Sequence, residues 1–395
     1  MRILYGYSNC TDKTYNKITS ERSVSVLTPD QKYHGLLIKG LCANNAEVCC
    51  FSGLPINRAV TSRKLIREPD EREGSASFHY ITTLNLPGFR QLMIFFGTFF
   101  GTLRAKKDRE TVAVCDCLNI ANAYGMTLAA RLRRIPVISI VTDLPDMERQ
   151  SDFLKRFNNR LFRKTDGFIL LTEQMSARVN PQSKPYIVLE GHVDSEAPVP
   201  DEQIPYEISE GKKVILYAGS LKRIYGIVNL TEGFVKADIP DAELRIYGDG
   251  DFREELERIA EEHPTVRYMG IKPNREIVAE EQKVSLLVNP RPRAPEYTKY
   301  SFPSKNMEYM VSGTPTLTTK LPGMPEEYYP YIDLLEDESP DGIAEKLREI
   351  FSRPFEERRK KALSARRFVL ENKSNIVQAK KIMDFLHREF IKSQD

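Results

Sequence analysis

Short apolar segments alternate with helical stretches along most of this chain, and this alternation constrains the fold more than any other feature of the sequence. Helices are predicted at 31–43 and 120–133, between strands predicted in the first half at 2–8, 46–53, 78–84, 111–116, 136–142, 167–172 and 186–190. Strands that are apolar along nearly their whole length are typical of a parallel sheet that is covered on both faces. The sequence therefore predicts an α/β protein, in which ligands bind beyond the carboxyl ends of the strands.

The chain is long enough for two such domains, since 395 residues can supply two full cores. Residues 191–211 contain three prolines and several acidic residues, which is typical of a linker. We predict an N-terminal domain at 1–195, a C-terminal domain at 196–370, and a final basic helical segment at 371–395.

The composition excludes several classes of protein. Hydrophobic residues make up 41% of the chain and charged residues 29%, as in soluble globular proteins. A net charge of +3 is too small to indicate binding to nucleic acid. The chain opens directly with a predicted strand rather than a signal peptide, and its most apolar uncharged run, 91–103, is too short to span a bilayer. These features predict a cytoplasmic protein.

Six cysteines lie in the first third of the chain, at Cys10, Cys42, Cys49, Cys50, Cys115 and Cys117. None is arranged as the paired Cys-x-x-Cys that is typical of zinc sites, and most fall in apolar strand-like runs. We interpret them as reduced, mostly buried thiols and predict no metal site.

The segment 300–317 (Tyr-Ser-Phe-Pro-Ser-Lys-Asn-Met-Glu-Tyr-Met-Val-Ser-Gly-Thr-Pro-Thr-Leu) predicts a short helix between a loop and a strand. Pro303 suits its first turn, with Ser301 or Ser304 as the cap. The free N–H groups of that turn and the ammonium of Lys305 would attract a diphosphate. Glu308, one turn on, would accept hydrogen bonds from a ribose. The alternative is an ordinary capped helix with a solvated Lys and Glu.

Phe-Pro-Ser-Lys followed by Glu-Tyr-Met-Val-Ser-Gly-Thr-Pro resembles the donor-nucleotide segment of glycosyltransferase family 4, the retaining GT-B sugar transferases. The Phe-Pro-Ser-Lys variant is common in capsule and exopolysaccharide biosynthesis. Many members carry a first glutamate eight positions before the second, where this chain has Tyr300. Glu296 is the candidate to replace it.

The resemblance, strongest at 214–317, implies a GT-B fold: two Rossmann-like parallel-sheet domains that face each other across a cleft, with the last helix returning to the first domain. It implies transfer of a sugar from a UDP- or GDP-linked donor to a hydroxyl acceptor, with retention of configuration. The nucleotide sugar is a substrate, and no cofactor or metal is implied. Transfer would require the departing diphosphate to be neutralised by cations.

Other segments add donor-site candidates. The loop 219–226 is similar to the family's first C-domain loop and supplies Ser220, Lys222 and Arg223. Gly248 belongs to a Gly-Asp-Gly turn that resembles the turn near the nucleotide base, and the basic loop 290–299 supplies Arg291. Asp249-Gly-Asp251 also matches the Asp-x-Asp of metal-dependent GT-A transferases, but the strand before it favours GT-B. A solvated basic turn is the plainer interpretation of Lys222 and Arg223.

On the acceptor side, two predicted strands end in polar residues: Asp116 and Asn119 after one, Thr142 and Asp143 after the other. Relatives often have a histidine where this chain has Thr142. We predict Asp143 as the polar group nearest the acceptor, although an Asp before Leu-Pro is also a common turn former. The polar segment 9–31 is either a mobile acceptor-side loop or a loop without a role.

Two segments combine apolar and basic residues, 91–107 and 153–164. In 153–164 the apolar residues fall on one helical stripe and no acidic residue interrupts the basic ones, as in helices that lie on anionic membranes. Packing of the stripe on the sheet is the alternative. Membrane contact would suit a lipid-linked glycan acceptor on the inner face of the membrane.

Two other functions fit the same fold. A non-catalytic GT-B-like accessory subunit would explain the missing glutamate and histidine, and it would not bind a donor. An inverting or phosphorylase-type enzyme would differ in the anomeric configuration of its product or in a need for inorganic phosphate.

Overall fold

The computed structural model describes residues 1–19, 29–56, 61, 63–144, 152–199 and 204–391. They form two compact units. Unit 1 comprises Met1–His192 together with Ser374–Asp395, and unit 2 is Val193–Lys373.

The strands and helices of unit 1 alternate through most of its length. Its strands are β1 (Arg2–Gly6), β2 (Glu47–Ser52), β3 (Leu65–Ile66), β4 (Glu71–Glu73), β5 (Ala76–Tyr80), β6 (Thr83–Leu84), β7 (Thr111–Asp116), β8 (Val137–Val141), β9 (Gly167–Leu170) and β10 (Tyr186–Val188). Its helices are α1 (Asp12–Thr19), α2 (Pro29–Ala43), α3 (Phe89–Arg104), α4 (Ile120–Leu132), α5 (Asp152–Lys164), α6 (Gln174–Val179) and the late helix α14 (Asn375–Phe390).

Eight of these strands form one sheet in the order β10-β9-β8-β7-β1-β2-β5-β4, parallel except for the edge strand β4. Strands β1, β7, β8 and β9 are buried along their whole length, which explains their continuous apolar sequences. The strand order reverses at β1, which pairs with β2 on one side and β7 on the other. The carboxyl ends of β1 and β7 therefore form a topological switch point.

The C-terminal helix α14 completes the core of unit 1. Its apolar residues pack in the same cluster as β1 and α2. At its start, the Asn375 side chain donates a hydrogen bond to the backbone carbonyl of Leu36, 3.1 Å away.

Unit 2 repeats the strand–helix pattern. Its strands are β11 (Lys213–Ala218), β12 (Ala242–Tyr247), β13 (Val266–Gly270), β14 (Leu286–Asn289), β15 (Thr316–Thr319) and β16 (Asp333–Leu335). Its helices are α7 (Tyr206–Ser209), α8 (Ile227–Ala237), α9 (Arg253–Glu262), α10 (Asn274–Glu281), α11 (Ser304–Ser312), α12 (Pro340–Ser352) and α13 (Phe355–Lys373), with 3-10 turns at Arg223–Tyr225, Glu296–Tyr300 and Glu326–Tyr331.

The six strands of unit 2 form a wholly parallel sheet in the order β13-β12-β11-β14-β15-β16. Its order reverses at β11, between β12 and β14. After β11 and β14 the chain continues to α8 and α11 on opposite faces of the sheet, and the crevice for a ligand lies beyond the carboxyl ends of these strands.

Two predictions about unit 1 were wrong in detail. The strand predicted at 78–84 is divided, because β5 ends at Tyr80 and β6 pairs separately with β3, Leu84 opposite Leu65. The segment 9–31 is not simply a loop: it contains α1, whose Thr11 hydroxyl accepts the Thr14 N–H at 3.2 Å, and the start of α2. Residues 20–28 of that segment, and Pro200 in the predicted linker, lie outside the described residues.

The apolar stripe predicted at 153–164 does not face outward where its side chains are described. Leu161 and Phe162 on α5 are buried, and Phe157 packs edge-on against Tyr124 of α4. The side chains of Phe153 and Leu154 lie outside the described part. This portion of the stripe packs on the domain, because the sheet needs a cover on that face. Among the helices described, none has the length and apolar character needed to cross a membrane. All six thiols are free, four of them buried.

Candidate functional site

The first part of the candidate site lies at the switch point of unit 2, where α11 begins beside the ends of β11 and β14. The Tyr309 hydroxyl of α11 lies 3.2 Å from the Ala218 N–H at the end of β11 and accepts its hydrogen bond. The Asn289 side chain at the end of β14 donates to that of Asn306, 2.7 Å away. These buried hydrogen bonds fix the first turns of α11 against both strands.

The helix α11 starts without a side-chain cap. Pro303 occupies the N-cap position, and neither Ser301 nor Ser304 caps the helix as predicted, since Ser304 is itself the first helical residue. A proline cannot accept a hydrogen bond through its side chain. The N–H groups of Ser304 and Lys305 therefore keep the capacity to bind an anion, whereas that of Asn306 donates to the Pro303 carbonyl at 2.9 Å.

Lys305 and Glu308 lie together on α11, as their spacing predicts. The Lys305 ammonium is 3.1 Å from Glu308 and 3.7 Å from Glu281 of α10, whose side chain is fully buried. Burial lowers the pKa of Lys305, but the two carboxylates outweigh it and raise the pKa above its usual value. The lysine is therefore a fixed positive charge that remains about a third exposed.

Arg291 brings a second cation to this crevice. Its guanidinium lies 4.7 Å from the ring centre of Tyr225, which follows β11, and 5.9 Å from that of Tyr297, in the turn before α11. Arg291 Nε, Tyr297 Oη and Ser301 Oγ are buried, and within the described chain they have no hydrogen-bond partner. Buried polar atoms are usually hydrogen-bonded, so these three atoms are available to a polar ligand that enters the crevice.

The other predicted donor residues lie at the rim. Ser220 and Lys222 are exposed; the Ser220 carbonyl accepts from the Tyr217 hydroxyl at 2.8 Å. Arg223 is held by Glu255 of α9 instead of being directed at the crevice. Its Cζ also lies over the Phe252 ring.

Gly248 directly follows β12 and has a φ of 134°, a backbone conformation that favours glycine. Its N–H donates to the Gly270 carbonyl, 3.0 Å away. Glu296 is exposed in the turn before α11.

In unit 1, the predicted residues Asp116 and Asn119 do meet at the switch point. The Asn119 side chain, which caps α4, donates to the Ser8 hydroxyl just beyond β1. Asp116, which we predicted to bind substrate, is only 1% exposed. One of its oxygens accepts the Leu118 N–H at 2.7 Å, a hydrogen bond that holds the loop after β7.

His34 on α2 was not predicted from the sequence. Its Nε2 is 3.2 Å from Asp116, its Nδ1 shares a 2.6 Å hydrogen bond with the Tyr5 hydroxyl, and its ring stacks on Tyr7. A single histidine on a helix gives no local sequence signal of such a role. Thr142 and Asp143 follow β8, the former half-buried and the latter exposed. Residues 145–151, which come next, lie outside the described part.

We expect Asp116→Ala to destabilise unit 1 by about 3 kcal/mol, because it leaves the Leu118 N–H without its buried acceptor and removes the carboxylate that lies 3.2 Å from His34 Nε2. Asp143 is an exposed aspartate just after the neighbouring strand β8, and Asp143→Ala should change the free energy of unfolding by less than about 0.5 kcal/mol. Urea unfolding of both variants measures this difference. Equal stabilities would show that Asp116 does not hold the switch point.

Comparison with known proteins finds a family match for most of unit 2 and for the C-terminal helix α14. Residues 199–389 match the family model described as Glycosyl transferases group 1. This segment of the chain is therefore similar to the group 1 glycosyl transferases. The match includes the whole switch point of unit 2, with Lys305, Glu308 and Arg291. No curated protein sequence matches the chain.

Solved structures of similar architecture cover the whole chain. The sucrose-phosphate synthase of Thermosynechococcus elongatus has a TM-score of 0.68 at 14% identity and covers 100% of both chains. Anabaena HepE, solved in complex with UDP, has a TM-score of 0.68 at 13% identity and covers 98% of this chain and 100% of that one. The lipopolysaccharide outer core galactosyltransferase WaaB has a TM-score of 0.63 at 13% identity, with 99% and 100% covered. The predicted fold class is confirmed as GT-B, with two Rossmann-like parallel-sheet domains.

Proposed function

We propose that this protein is a glycosyltransferase that moves a sugar from a nucleoside diphosphate to a hydroxyl acceptor. The observation that carries the proposal is the set of groups at the switch point of unit 2: an uncapped helix start, a fixed ammonium at Lys305, and the unsatisfied buried atoms of Arg291, Tyr297 and Ser301. This set matches the charge and the oxygen atoms of a nucleoside diphosphate.

Each group takes one part of the donor. The N–H groups of Ser304 and Lys305 at the start of α11 bind the diphosphate with the ammonium of Lys305. Arg291 supplies the second cation, with Lys222 at the exposed rim. Glu308 accepts the hydrogen bonds of the ribose, and the turn at Gly248 borders the base. Arg223 and Glu296 are the weakest of the predicted ligands, since Arg223 is engaged by Glu255.

In the transfer step, the bond between the anomeric carbon and the β-phosphate oxygen breaks, and a bond from the acceptor oxygen to that carbon forms. The acceptor proton passes to a phosphate oxygen of the departing diphosphate. Lys305 and Arg291 stabilise the charge that develops there. Attack on the face from which the diphosphate leaves would retain the anomeric configuration, as expected of a family 4 enzyme.

UDP is the nucleotide we propose for the donor. The solved structures similar to this chain include one in complex with UDP and one bound with UDP-2-fluoro glucose. The chemistry above needs no metal, because cations and N–H groups of the chain face the diphosphate.

The acceptor we propose is a lipid-linked glycan under assembly for a capsule or exopolysaccharide, on the inner face of the membrane. Asp143 is exposed where β8 ends, and Asn119 and Thr142 are half-buried beside it. These groups can bind sugar hydroxyls, and Asp143 is the one that we expect nearest the acceptor.

A thermal-shift screen of the purified protein against UDP, GDP, ADP and their sugars tests the proposal. We expect UDP and one UDP-sugar to raise the Tm. Turnover of that sugar with a membrane extract as acceptor would then establish transfer, and NMR of the product would give its anomeric configuration. Failure of every nucleotide to stabilise the protein would instead favour a non-catalytic accessory subunit, which Tyr300 in place of the first glutamate would fit.

A further inference from the structure

Helix α3 has an apolar face that is not used in the fold. Among the described residues, fourteen large hydrophobic side chains are exposed, and half of them lie on or beside this helix, each between 36% and 60% exposed. These seven residues, called here the α3 apolar face, are Leu65, Leu84, Leu86, Phe89, Leu92, Phe96 and Phe100. Such a concentration is unusual for a soluble protein and marks an interaction surface.

The face is continuous because of its spacing. Phe89, Leu92, Phe96 and Phe100 recur every three or four residues, which places them on one side of the helix. Leu65 and Leu84 are direct partners in the small sheet of β3 and β6, which contacts α3. A helix and a two-stranded sheet thus present their apolar side chains together.

The fold does not depend on this face, since the opposite side of α3 holds the helix in place. Ile94, Thr98 and Thr102 are buried, and the Thr98 hydroxyl donates to the Asn122 side chain of α4. Substitutions on the outer face should therefore leave unit 1 folded.

Positive charge adjoins the face at the C-terminal end of α3. Arg133 Nη1 of the α4 terminus donates to the Thr102 carbonyl at 2.7 Å, which brings the ends of the two helices together. The exposed basic residues at this end are Arg104, Lys106, Lys107, Arg131 and Arg134. The nearby Asp108 and Glu110 are already paired, with Arg2 at 2.9 Å and with the amino terminus at 3.2 Å.

A groove of about 610 Å³ runs beside the face, lined by Leu92, Phe96 and Phe100, by the cation Arg104 and by the pair His79–Asp70. Hydrogen bonds to Cys49 and Asp70 raise the pKa of His79 to about 9, so the imidazole is charged at neutral pH, and Asp70 at 2.6 Å balances that charge. Apolar walls with the charge of Arg104 at the edge, unpaired among the described residues, suit an acyl chain and an anionic headgroup.

We propose that the α3 apolar face binds unit 1 to an anionic lipid bilayer, with the phenylalanines in the acyl boundary and the basic residues at the headgroups. The basic residues at the end of α3 favour an anionic bilayer over a second copy of this chain as the partner, because two copies joined through this face would bring like charges together. The surface differs from the 153–164 helix predicted from the sequence, where the described part of the apolar stripe is buried. It stands apart from the proposed sugar transfer, because its test needs no nucleotide.

The test is sedimentation of the full-length protein with vesicles of two parts phosphatidylcholine to one part phosphatidylglycerol. We expect binding that weakens with added salt and is about tenfold or more weaker in Phe96→Ser/Phe100→Ser. Arg104→Gln/Lys106→Gln should weaken it to a similar extent, with little difference left between anionic and neutral vesicles. The matched control is Ile208→Ser/Ile376→Ser, which removes two exposed isoleucines elsewhere and should bind as the unmodified protein does.

Equal vesicle binding by the phenylalanine variant and the control would overturn the proposal. The proposal would also be overturned if the protein did not bind vesicles but self-associated in analytical ultracentrifugation, and if this association were lost in Phe96→Ser/Phe100→Ser. That result would make the face a contact between copies of the chain. Because the readout is binding of vesicles without nucleotide, neither result bears on sugar transfer.

Discussion

Lys305→Met should weaken UDP binding about a hundredfold, because it removes the ammonium beside the uncapped start of α11. Calorimetric titration of the purified variant with UDP measures this loss. Methionine keeps the length and the apolar stem of the lysine, so the packing against Tyr309 is largely retained.

The same substitution also has a structural effect that must be separated from the loss of binding. The Glu281 carboxylate is fully buried, 3.7 Å from the Lys305 ammonium. Without the ammonium, an ionised Glu281 would be a buried unpaired charge that destabilises the folded protein. We therefore expect Lys305→Met to lower the Tm, and Lys305→Met/Glu281→Gln to recover most of it. UDP affinity should stay low in both variants.

The control for Lys305 lies on α12, where Lys346 pairs with Glu349 three residues on, at a similar exposure. Lys346→Ala removes an equivalent ion pair away from the switch point and should leave UDP affinity unchanged. If UDP bound equally to the double variant and to the control, the ammonium of Lys305 would not contact the diphosphate.

The sequence predicted those parts of the site that depend on local spacing. The start of α11 and the proximity of Lys305 and Glu308 follow from proline placement and from helical periodicity, which act over a few residues. The continuous apolar strands likewise predicted the two parallel sheets. The cap was wrong because Pro303, rather than a serine, occupies the N-cap position.

Features that join distant segments were not predictable in this way. Arg291 meets Tyr225 only because β11 and β14 are neighbours in the sheet. His34 is likewise brought to Asp116 by the packing of α2 on the sheet of unit 1. Neither contact is encoded in residues adjacent in sequence, so tertiary structure decides both.

The two amphipathic helices illustrate the same limit. Both α3 and α5 combine apolar and basic residues, and the sequence favoured α5 for contact with a membrane. Burial of Leu161 and Phe162 shows that the described part of the α5 stripe covers the sheet, whereas Phe96 and Phe100 of α3 stay exposed. Periodicity identifies an apolar face, but only packing shows which face is covered.

Gly226→Ala should destabilise unit 2 by about 4 kcal/mol and abolish UDP binding. Gly226 joins the loop after β11 to α8 with a φ of 80°, and an added Cβ would lie 2.0 Å from the Pro290 carbonyl oxygen. Adopting this positive φ alone costs alanine about 1 kcal/mol relative to glycine. The remainder arises because Pro290 leads directly into Arg291, and that loop would have to move away from the crevice.

Gly211→Ala is the matched control for this backbone, since its φ is 68° and no atom lies within 4 Å of the added Cβ. It should cost only about 1 kcal/mol and leave UDP binding intact. Hydrogen exchange of the peptides that cover β11 and β14 measures how much each of the two substitutions destabilises unit 2. The amides of β11 and β14 could instead be equally protected from exchange in Gly226→Ala and Gly211→Ala. The loops after these strands would then not be in the close contact on which the proposed diphosphate site depends. The geometry of Arg291 over Tyr225 would then no longer support that site.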